Sequence, residues 1–297
     1  MSTTPPSRWS AVVVNYEAGS LLAGCVRTLI DDTSAGEVEI VVVDNGSGDG
    51  SVAQLRAELP DVPVVTAGRN LGYSGGANLG VRATHAPVVA VCNPDLRVRS
   101  GTAAAVLARF DAEPDLAAVG PAVRELDGTL YPSARRVPTV GDAVGHGLVG
   151  LVKPDNAFTR RYRELDADPA QPRDVDWVSG AAIWLRRAAL ESVGGWDDAY
   201  FMYVEDVDLC WRLRRAGWRV AYEPAGEVTH IQGVSTARHP YRMIVEHHRS
   251  LLRFAAKRWH GWRRVLLVPA ACYLGLRAGL AVLLRAVPRS GRGEPTG

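Results

Sequence analysis

The sequence contains only four cysteines among 297 residues, Cys25, Cys92, Cys210 and Cys272, and no two of them form a CxxC pair. Zinc knuckles and disulfide frameworks both need closely or regularly spaced cysteines. The spacing argues against both classes of protein, and we expect the four thiols to be reduced and buried.

A targeting segment and a long apolar run are also missing. The first ten residues are polar and lack the basic and apolar regions of a signal peptide, which predicts a cytoplasmic chain. The longest uncharged apolar run near the C-terminus, Val265 to Leu276, has 12 residues, whereas a spanning helix needs roughly 20. We therefore expect this segment to lie on the inner face of the cell membrane. A helical hairpin, or a span that buries Arg277, is the alternative.

The chain has little net charge, only +2, but the charge is unevenly distributed. From Arg249 onward there are 10 Lys or Arg residues against one acid, Glu294, which leaves 24 basic and 31 acidic residues before that point. A strongly basic tail binds either nucleic acid or anionic lipid. Apolar residues are interspersed with the basic ones, so we expect the tail to bind an anionic membrane surface and not nucleic acid. The basic residues that alternate with apolar ones are Arg277, Arg285, Arg289 and Arg292.

Short apolar runs alternate with helical spacing over residues 10–95, which predicts a βαβαβαβ unit with a parallel sheet covered on both faces. The predicted strands are 11–15, 38–44, 62–66 and 87–92, and the predicted helices are 21–30, 52–59 and 77–83. The strands end in polar residues at Asn15, Asp44 and Asn93. Ligands of such sheets bind at the carboxyl ends of the strands, so a nucleotide is expected there.

The remainder of the chain is less regular. A helix is predicted for 101–110, and residues 124–175 are rich in Pro, Gly and Arg, which is typical either of a mobile lid or of a plain surface excursion. Further elements are predicted as a strand at 177–185, helices at 187–193 and 205–216, and a strand at 219–222, with His230 ending another strand.

Two glycine-rich segments follow strands of the predicted sheet. The first, DNGSGDGS from Asp44, allows backbone to approach a base or ribose, although an Asx turn explains it equally. The second, RNLGYSGGANLG, contains Gly72 and precedes a helix whose N-terminus attracts phosphate, while Arg69 supplies positive charge. Neither matches the dinucleotide fingerprint GxGxxG. The one literal match, Gly145 to Gly150, follows no strand, and we interpret it as chance.

Carboxylates at two places indicate chemistry. Asp95 follows the strand VVAVC, where a carboxylate oxygen can bind Mg²⁺ or Mn²⁺ beside a diphosphate, and His230 is a second candidate ligand, although a structural role is its alternative. Glu205, Asp206 and Asp208 begin a helix directly after an aromatic cluster. Helix-dipole compensation explains some of these acids, but aromatic faces beside carboxylates also suit a sugar acceptor and its general base.

Taken in order, VVVNY, VVVDNGSGDG, RNLGYSGGAN, CNPD, WVSGA, GGWDDAYFMYVEDVDLCWR and the strand with His230 resemble glycosyltransferase family 2 from Ala11 to about His248. The resemblance implies the GT-A fold, a Rossmann-like, mostly parallel central sheet with flanking helices. It implies a catalytic domain over residues 1–248, with a nucleotide-binding half at 10–95 and an acceptor half at 96–248. Residues 249–297 then form a basic, apolar helical segment.

The resemblance also implies site residues. Asp206 is implied as the general base, and Asp95 with His230 as the residues that bind a divalent metal, Mn²⁺ or Mg²⁺. The residues implied to bind the donor are Tyr16, Asp44, Arg69, Gly72 and Asn93. The residues implied to border the acceptor are Trp177, Trp196, Asp197 and Glu205.

Within the family, the segments DGTLYPSARRVP, FMYVEDVDL and EHHRS are most similar to members that transfer L-rhamnose from dTDP-β-L-rhamnose to polyprenyl-diphosphate-linked N-acetylglucosamine. The implied reaction is a single displacement with inversion, in the synthesis of a cell-wall linker. Three other readings stay open. They are a family 2 transferase with another nucleotide sugar and acceptor, a non-catalytic nucleotide-sugar-binding protein at the membrane, and a Rossmann dehydrogenase, which the missing fingerprint disfavours.

Overall fold

The computed structural model describes residues 7–149, 153, 155–231 and 240–286. The strands are β1 Trp9–Asn15, β2 Val38–Asp44, β3 Val64–Thr66, β4 Val88–Cys92, β5 Leu96–Val98, β6 Leu116–Arg124, β7 Leu130–Tyr131, β8 Ala134–Arg135, β9 Arg173–Asp174, β10 Trp177–Val178, β11 Ala182–Arg186 and β12 Arg219–His230. The helices are α1 Leu21–Asp31, α2 Ser51–Glu58, α3 Gly72–Arg82, α4 Thr102–Ala112, α5 Val140–Val149, α6 Ala157–Arg163, α7 Arg187–Ser192, α8 Glu205–Arg215, α9 Pro240–Arg258, a 3₁₀ helix Gly261–Leu266 and α10 Leu267–Ala286.

One large mixed sheet has the strand order β3-β2-β1-β4-β11-β6-β12-β5, with β7 on β6 and β9 on β12, and β8 pairs with β10 separately. The pairings among β1, β2, β3 and β4 are parallel, which confirms the unit predicted for residues 10–95. β11 then enters antiparallel between β4 and β6, and β12 runs parallel to β6. β4 and β12 therefore point the same way, and their carboxyl ends lie at the same edge.

Side chains of the central strand β1 are buried on both faces of the sheet. Ala11 and Val13 pack into one hydrophobic cluster, whereas Val12 and Val14 pack into the other. Successive side chains of a strand point to opposite faces, so a strand covered on both sides is mostly apolar, and the two polar residues of β1, Ser10 and Asn15, are buried near its ends. This is the physical reason for the continuous apolar runs in the sequence.

Helix α3 begins at Gly72, five residues before the predicted start at Ala77. Its glycines are explained by close packing on the sheet and not by a loop. A Cβ atom on Gly76 would lie 2.7 Å from Val14 Cγ1, and one on Gly80 would lie 2.2 Å from Val12 Cγ1. The prediction that residues 73–76 form a turn before the helix was therefore wrong, because these residues belong to the first turns of α3.

Two other predicted boundaries change. The strand predicted for 177–185 is interrupted at 179–181, which separates β10 from β11, and the strand at 219–222 continues to His230 as a single 12-residue strand. The loop-rich stretch 124–175 contains short elements from β7 to β9. Of the literal GxGxxG match, residues 145–149 lie in α5, and Gly150 lies outside the described residues.

The C-terminal part consists of α9, the 3₁₀ helix and α10. The division expected between residues 248 and 249 falls inside α9. Residues Gly261–Leu283 are, by length and composition alone, long and apolar enough to cross a membrane, because the helix continues beyond Arg277. Cys272 on this helix is exposed, so the expectation of four buried thiols is wrong for this one. The predicted basic residues Arg289 and Arg292 lie outside the described residues.

Candidate active site

A cavity of about 510 Å³ opens at the edge of the sheet where β1, β4 and β12 end. This is the edge at which open α/β sheets bind ligands. Most of the site residues predicted from the sequence come together here, although they are spread over more than 200 positions. The predicted residues that line the cavity are Tyr16, Gly72, Asn93, Asp95, Trp177, Glu205, Asp206 and His230.

The pairing of β12 with β5 brings His230 to Asp95. His230 is opposite Leu96 in the antiparallel ladder, so the residue before Leu96 lies beside the imidazole. His230 Nε2 is 3.1 Å from Asp95 Oδ1 and 3.3 Å from Asn93 Nδ2, and Asp95 is 8% exposed. The Ile231 amide also donates to the Asp95 carbonyl oxygen at 2.9 Å, which holds the two segments together.

Asp95 and His230 suit a divalent cation. Asp95 Oδ1 is buried and accepts no hydrogen bond of good geometry from any described residue, so one carboxylate oxygen is left for a ligand. Across the described ranges, no group of three or more His, Cys, Asp or Glu side chains is placed to bind a metal. A cation held by two protein ligands takes its remaining ligands from phosphate oxygens and water, as Mg²⁺ usually does, and imidazole suits Mn²⁺ more than Mg²⁺.

Helix α8 begins at the opposite wall, after two residues with left-handed backbone. Tyr203 has φ 66° and Val204 has φ 69°, which is costly for residues other than glycine and is often found at functional sites. This turn directs Glu205 and Asp206 into the cavity. Asp206 Oδ2 accepts a hydrogen bond from the Gly180 amide at 2.9 Å, and Oδ1 accepts one from the Val207 amide at 2.8 Å.

The two adjacent carboxyls differ in their environment. Burial raises the pKa of Asp206, although the Gly180 and Val207 amides and the charge of Arg135 oppose the shift. Burial, together with the charge of Asp206, raises the pKa of Glu205 well above its ordinary value, and Glu205 Oε2 is buried without a hydrogen-bond partner. Asp206 accepts two backbone hydrogen bonds whereas Glu205 Oε2 accepts none, so Asp206 is the better stabilised carboxylate of the pair and the stronger candidate for a base.

Asp208, the third acid of this helix, lies outside the cavity. It is fully buried, and its carboxylate accepts from Arg212 Nε at 2.7 Å and from Lys257 Nζ at 2.8 Å. Tyr200 OH donates to Asp208 Oδ1 at 3.3 Å. These contacts link α8 to α9, so the carboxylate of Asp208 is used within the fold.

At the end of the cavity near β1 and β2, backbone and amide groups dominate. Asn45 Nδ2 donates to the Gly72 carbonyl at 2.9 Å, and Asn45 Oδ1 accepts from the Leu71 amide at 2.9 Å. Gly72 has φ +79°, and a Cβ atom there would lie 2.4 Å from the Phe201 carbonyl oxygen. Only glycine allows this approach, which places the start of α3 at the cavity.

Two predicted donor-binding residues do not line the cavity. Asp44 Oδ1 accepts from the Ser47 amide at 3.0 Å, so its carboxylate is used within the loop that follows β2. Arg69 is exposed beside it, and its backbone packs on Gly46, where a Cβ atom would lie 2.9 Å from the Arg69 carbonyl carbon. Asp44 at the end of β2 and Arg69 in the loop after β3 therefore do not belong to the wall of the cavity.

The wall formed by β8 and β10 is aromatic and cationic. Arg135 is buried among three rings, with its Cζ 5.0 Å from the Trp177 ring centroid, 5.1 Å from that of Tyr131 and 5.6 Å from that of Tyr162. Arg135 Nη2 donates to Tyr131 OH at 2.6 Å. A rigid aromatic surface with one charge suits the apolar face and hydroxyl groups of a sugar.

Two predicted acceptor residues are placed elsewhere. Trp196 is 2% exposed and packs edge-to-face on Tyr73 at 5.6 Å, while Asp197 pairs with Lys257 Nζ at 2.8 Å. The Lys257 amine and the Ala199 amide lower the pKa of Asp197 against the effect of burial. The structure does not bring either residue into the cavity.

Several cavity residues were not identified from the sequence, namely Arg135, Tyr73, Tyr162 and His247. The signal for Arg135 in the sequence is the pair of adjacent arginines in SARRVP, the first of which ends β8. Which arginine faces inward is visible only in the fold, where Arg136 instead pairs with Glu164 at the surface. Residues 124–175 thus supply a wall of the cavity.

A larger groove of about 650 Å³ lies on the outer face of α8 and β9. Several of its arginines pair with neighbouring acids, as in Arg136–Glu164 and Arg219–Asp174, and no residue that follows β1, β4 or β12 lines it. The smaller cavity is therefore the candidate active site.

Comparisons with known proteins show the family to which the chain belongs. The model of the family described as glycosyltransferase-like family 2 matches residues 5–262. An N-acetylglucosaminyl-diphospho-decaprenol L-rhamnosyltransferase of Mycobacterium tuberculosis is 38% identical over 267 residues, which are 86% of this chain and 86% of the relative. A low-salt glycan biosynthesis hexosyltransferase of Haloferax volcanii is 25% identical over 77% of this chain and 69% of its own length.

Solved structures with the same fold are more distant in sequence. The mannosyltransferase PcManGT from Pyrobaculum calidifontis, in complex with GDP-Man and Mn²⁺, aligns with a TM-score of 0.57 at 17% identity, over 96% of this chain and 77% of its own. GalNAc-T7, solved with UDP, GalNAc and Mn²⁺, aligns with a TM-score of 0.56 at 16% identity, over 75% and 43%. These likenesses confirm the expected GT-A fold.

Proposed function

The chain belongs to glycosyltransferase-like family 2 and is a glycosyltransferase; on that premise, we propose that it transfers L-rhamnose from dTDP-β-L-rhamnose to polyprenyl-diphosphate-linked N-acetylglucosamine with inversion. The observation that carries the proposal is one cavity with Asp206 on one wall and the pair Asp95 and His230 on another. The similarity to the mycobacterial rhamnosyltransferase supports the choice of substrates and, with it, a role in cell-wall linker synthesis.

In this reaction Asp206 accepts the proton of the attacking acceptor hydroxyl. The Gly180 and Val207 amides orient its carboxylate, and burial keeps it basic enough for the task. Glu205 is suited to hydrogen-bond the acceptor through its unpartnered Oε2. Trp177 and the ring-enclosed Arg135 form the surface against which the acceptor sugar packs.

Asp95 and His230 are the residues that would hold a divalent metal, and Asn93 orients the imidazole. When bound, such a metal neutralises charge on the departing nucleoside diphosphate. The donor occupies the end of the cavity formed by Tyr16, Gly72 and Asn93. A non-catalytic sugar-nucleotide-binding protein would not need a half-buried carboxylate directed at the acceptor end.

The proposal is tested by a transfer assay over a panel of nucleotide sugars with a short-chain prenyl-diphosphate N-acetylglucosamine acceptor, with and without Mn²⁺. Transfer from dTDP-rhamnose alone is expected. Preference for another donor would refute the sugar assignment, and no transfer from any donor would favour the non-catalytic alternative.

Replacement of Asp206 by Asn is expected to lower turnover by roughly 10²- to 10⁴-fold while donor affinity is kept. The Asp95→Asn variant is expected instead to weaken donor binding only when the metal is present, as measured by calorimetry. The control is Asp127→Asn at an exposed turn, which should change neither quantity. Near-normal turnover of Asp206→Asn would show that another group is the base.

We also propose that α10 attaches the protein to the membrane surface from the cytoplasmic side. Its exposed apolar side chains, together with the exposed Cys272 and with Val265 of the preceding 3₁₀ helix, form one stripe, while another face packs on α9 and α5. The exposed residues are Val265, Val268, Leu276, Leu280 and Leu283. A helix with one face on the protein and the other face apolar suits the membrane interface.

This attachment is tested by sedimentation of the full chain with anionic vesicles. The double variant Val268→Asp, Leu276→Asp is expected to stay in the supernatant, whereas Leu126→Asp, at an equally exposed apolar residue far from α10, should still sediment. Undiminished sedimentation of the double variant would refute the role of the stripe.

A further inference from the structure

The inner face of α10 carries two polar side chains, Tyr273 and Arg277. α10 packs tightly on α5, since a Cβ atom on Gly147 would lie 2.3 Å from Tyr273 OH. Tyr273 OH and Arg277 Nε are both buried, and neither has a hydrogen-bond partner among the described residues. Burying such groups unpaired is unfavourable, so their presence calls for a partner that binds there.

Arg277 also has no counter-ion among the described residues. Its guanidinium Nη1 lies 3.4 Å from His248 Nε2, and no Asp or Glu of the described ranges lies within ion-pair distance. His248 Nδ1 is 2.7 Å from the Ile244 carbonyl oxygen, so Nδ1 donates and Nε2 accepts from Arg277. The imidazole therefore positions the guanidinium and leaves its charge unneutralised.

This charge lies close behind the active-site cavity. The His248 ring is 5.5 Å from that of His247, which lines the cavity and contacts the Tyr203 ring at 5.3 Å. Burial, then the proximity of His248 and Arg277, lowers the pKa of His247 to about 4.

A second wall of the cavity, the one that contains Tyr162, is also close to Arg277. The His146 ring is 5.2 Å from that of Tyr162, which lines the cavity beside Trp177. Burial, followed by the charges of Arg163, Arg277 and Arg135, lowers the pKa of His146. The positive charge of Arg277 therefore lies behind two walls of the cavity, the one with His247 and the one with Tyr162.

We propose that Arg277 binds the diphosphate of the lipid-linked acceptor, with Tyr273 OH as a second donor, a subsite that rests on the transferase function proposed above. A guanidinium can donate two parallel hydrogen bonds to phosphate oxygens. The acceptor sugar lies against Trp177 with its hydroxyl at Asp206, and its diphosphate then extends toward α10. The apolar stripe on the outer face of the same helix lets the lipid chain continue into the membrane.

The subsite predicts that Arg277 distinguishes two acceptors that share a sugar. One is N-acetylglucosamine on a short-chain prenyl diphosphate, and the other is the same sugar on an uncharged octyl chain; both are assayed without vesicles. Arg277→Gln is expected to lower kcat/KM for the diphosphate acceptor by about ten- to hundredfold, with less than about threefold change for the octyl acceptor. Arg277→Lys should regain part of the difference, and KM for the donor should not change.

The matched control is Arg264→Gln, which removes an exposed charge from the adjoining 3₁₀ helix and should leave the ratio of the two acceptors unchanged. An equal loss for both acceptors would show that Arg277 only supports the fold, and a thermal melt of each variant measures that role separately. A lower affinity for anionic vesicles with an unchanged acceptor ratio would assign the charge to lipid headgroups. Either result overturns the proposal.

The wild-type enzyme provides a test that needs no variant. It should prefer the diphosphate acceptor over the octyl acceptor, and the absence of any preference would overturn the subsite. Failure to transfer to either acceptor would instead refute the proposed function, so the two failures are distinguishable.

Discussion

Replacement of Asp208 by asparagine is expected to lower the stability of the protein without removing its chemistry. The carboxylate is fully buried and is shared by Arg212 and Lys257, which come from its own helix and from α9. The substitution keeps the volume of the side chain and removes the charge that both cations face.

Breaking a buried ion pair from one side costs about 3 to 5 kcal/mol. The lower end applies here, because each cation keeps one partner: Lys257 still has Asp197 at 2.8 Å, and Arg212 still donates to the Val193 carbonyl at 2.8 Å. A loss of about 3 kcal/mol in the free energy of unfolding corresponds to a fall in Tm of roughly 6 to 12 °C for a domain of this size.

The assay is a thermal melt combined with turnover per folded molecule, measured well below the transition. Asp206→Asn is the comparison from the same helix, because it loses one hydrogen bond from a backbone amide but breaks no ion pair with a described residue. Asp208→Asn should therefore melt earlier than Asp206→Asn and remain active, whereas Asp206→Asn should be inactive. An Asp208→Asn protein with normal Tm and no turnover would refute the reasoning and place Asp208 in the chemistry.

Two further predictions concern the cavity. Gly72→Ala is expected to weaken donor binding and lower Tm, because the new Cβ atom would lie 2.4 Å from the Phe201 carbonyl oxygen. The control Gly128→Ala has a similar φ of +84° but lies in open space, so it should lower Tm by less. Equal losses of Tm would refute the steric argument. Glu205→Gln is expected to stabilise the protein at neutral pH. A carboxyl whose pKa is raised in the folded state destabilises the fold as pH rises above the pKa of the unfolded state, which is near 4.3 for Glu. The gain in stability of Glu205→Gln should therefore shrink as pH falls toward 4, as measured by thermal melts across pH. A constant difference in Tm would contradict the raised pKa of Glu205.

Much of the architecture was predictable, because it depends on local patterns. β-branched runs such as 38–44 form strands for reasons contained in the run itself, and β2 has the predicted bounds. The carboxyl ends of parallel strands lie at one edge of the sheet. The alternation of strands and helices in the sequence was therefore enough to predict that Asn93 and Asp95 lie near the residues after β1. The basic, apolar C-terminal segment was equally visible, although its helix continues past the arginine that was taken as its limit.

Which of several similar residues lines the cavity depends on the tertiary structure. Asp206 and Asp208 belong to the same turn of helix, yet one meets Gly180 in the cavity and the other meets Lys257, 49 positions later in the chain. Trp177 and Arg135 line the cavity, whereas Trp196 does not. The burial and charge partners of a side chain are set by segments distant in sequence, which no local pattern records. Local sequence therefore specifies which kinds of chemical group lie at the strand ends, and packing selects which residue of each kind lines the cavity.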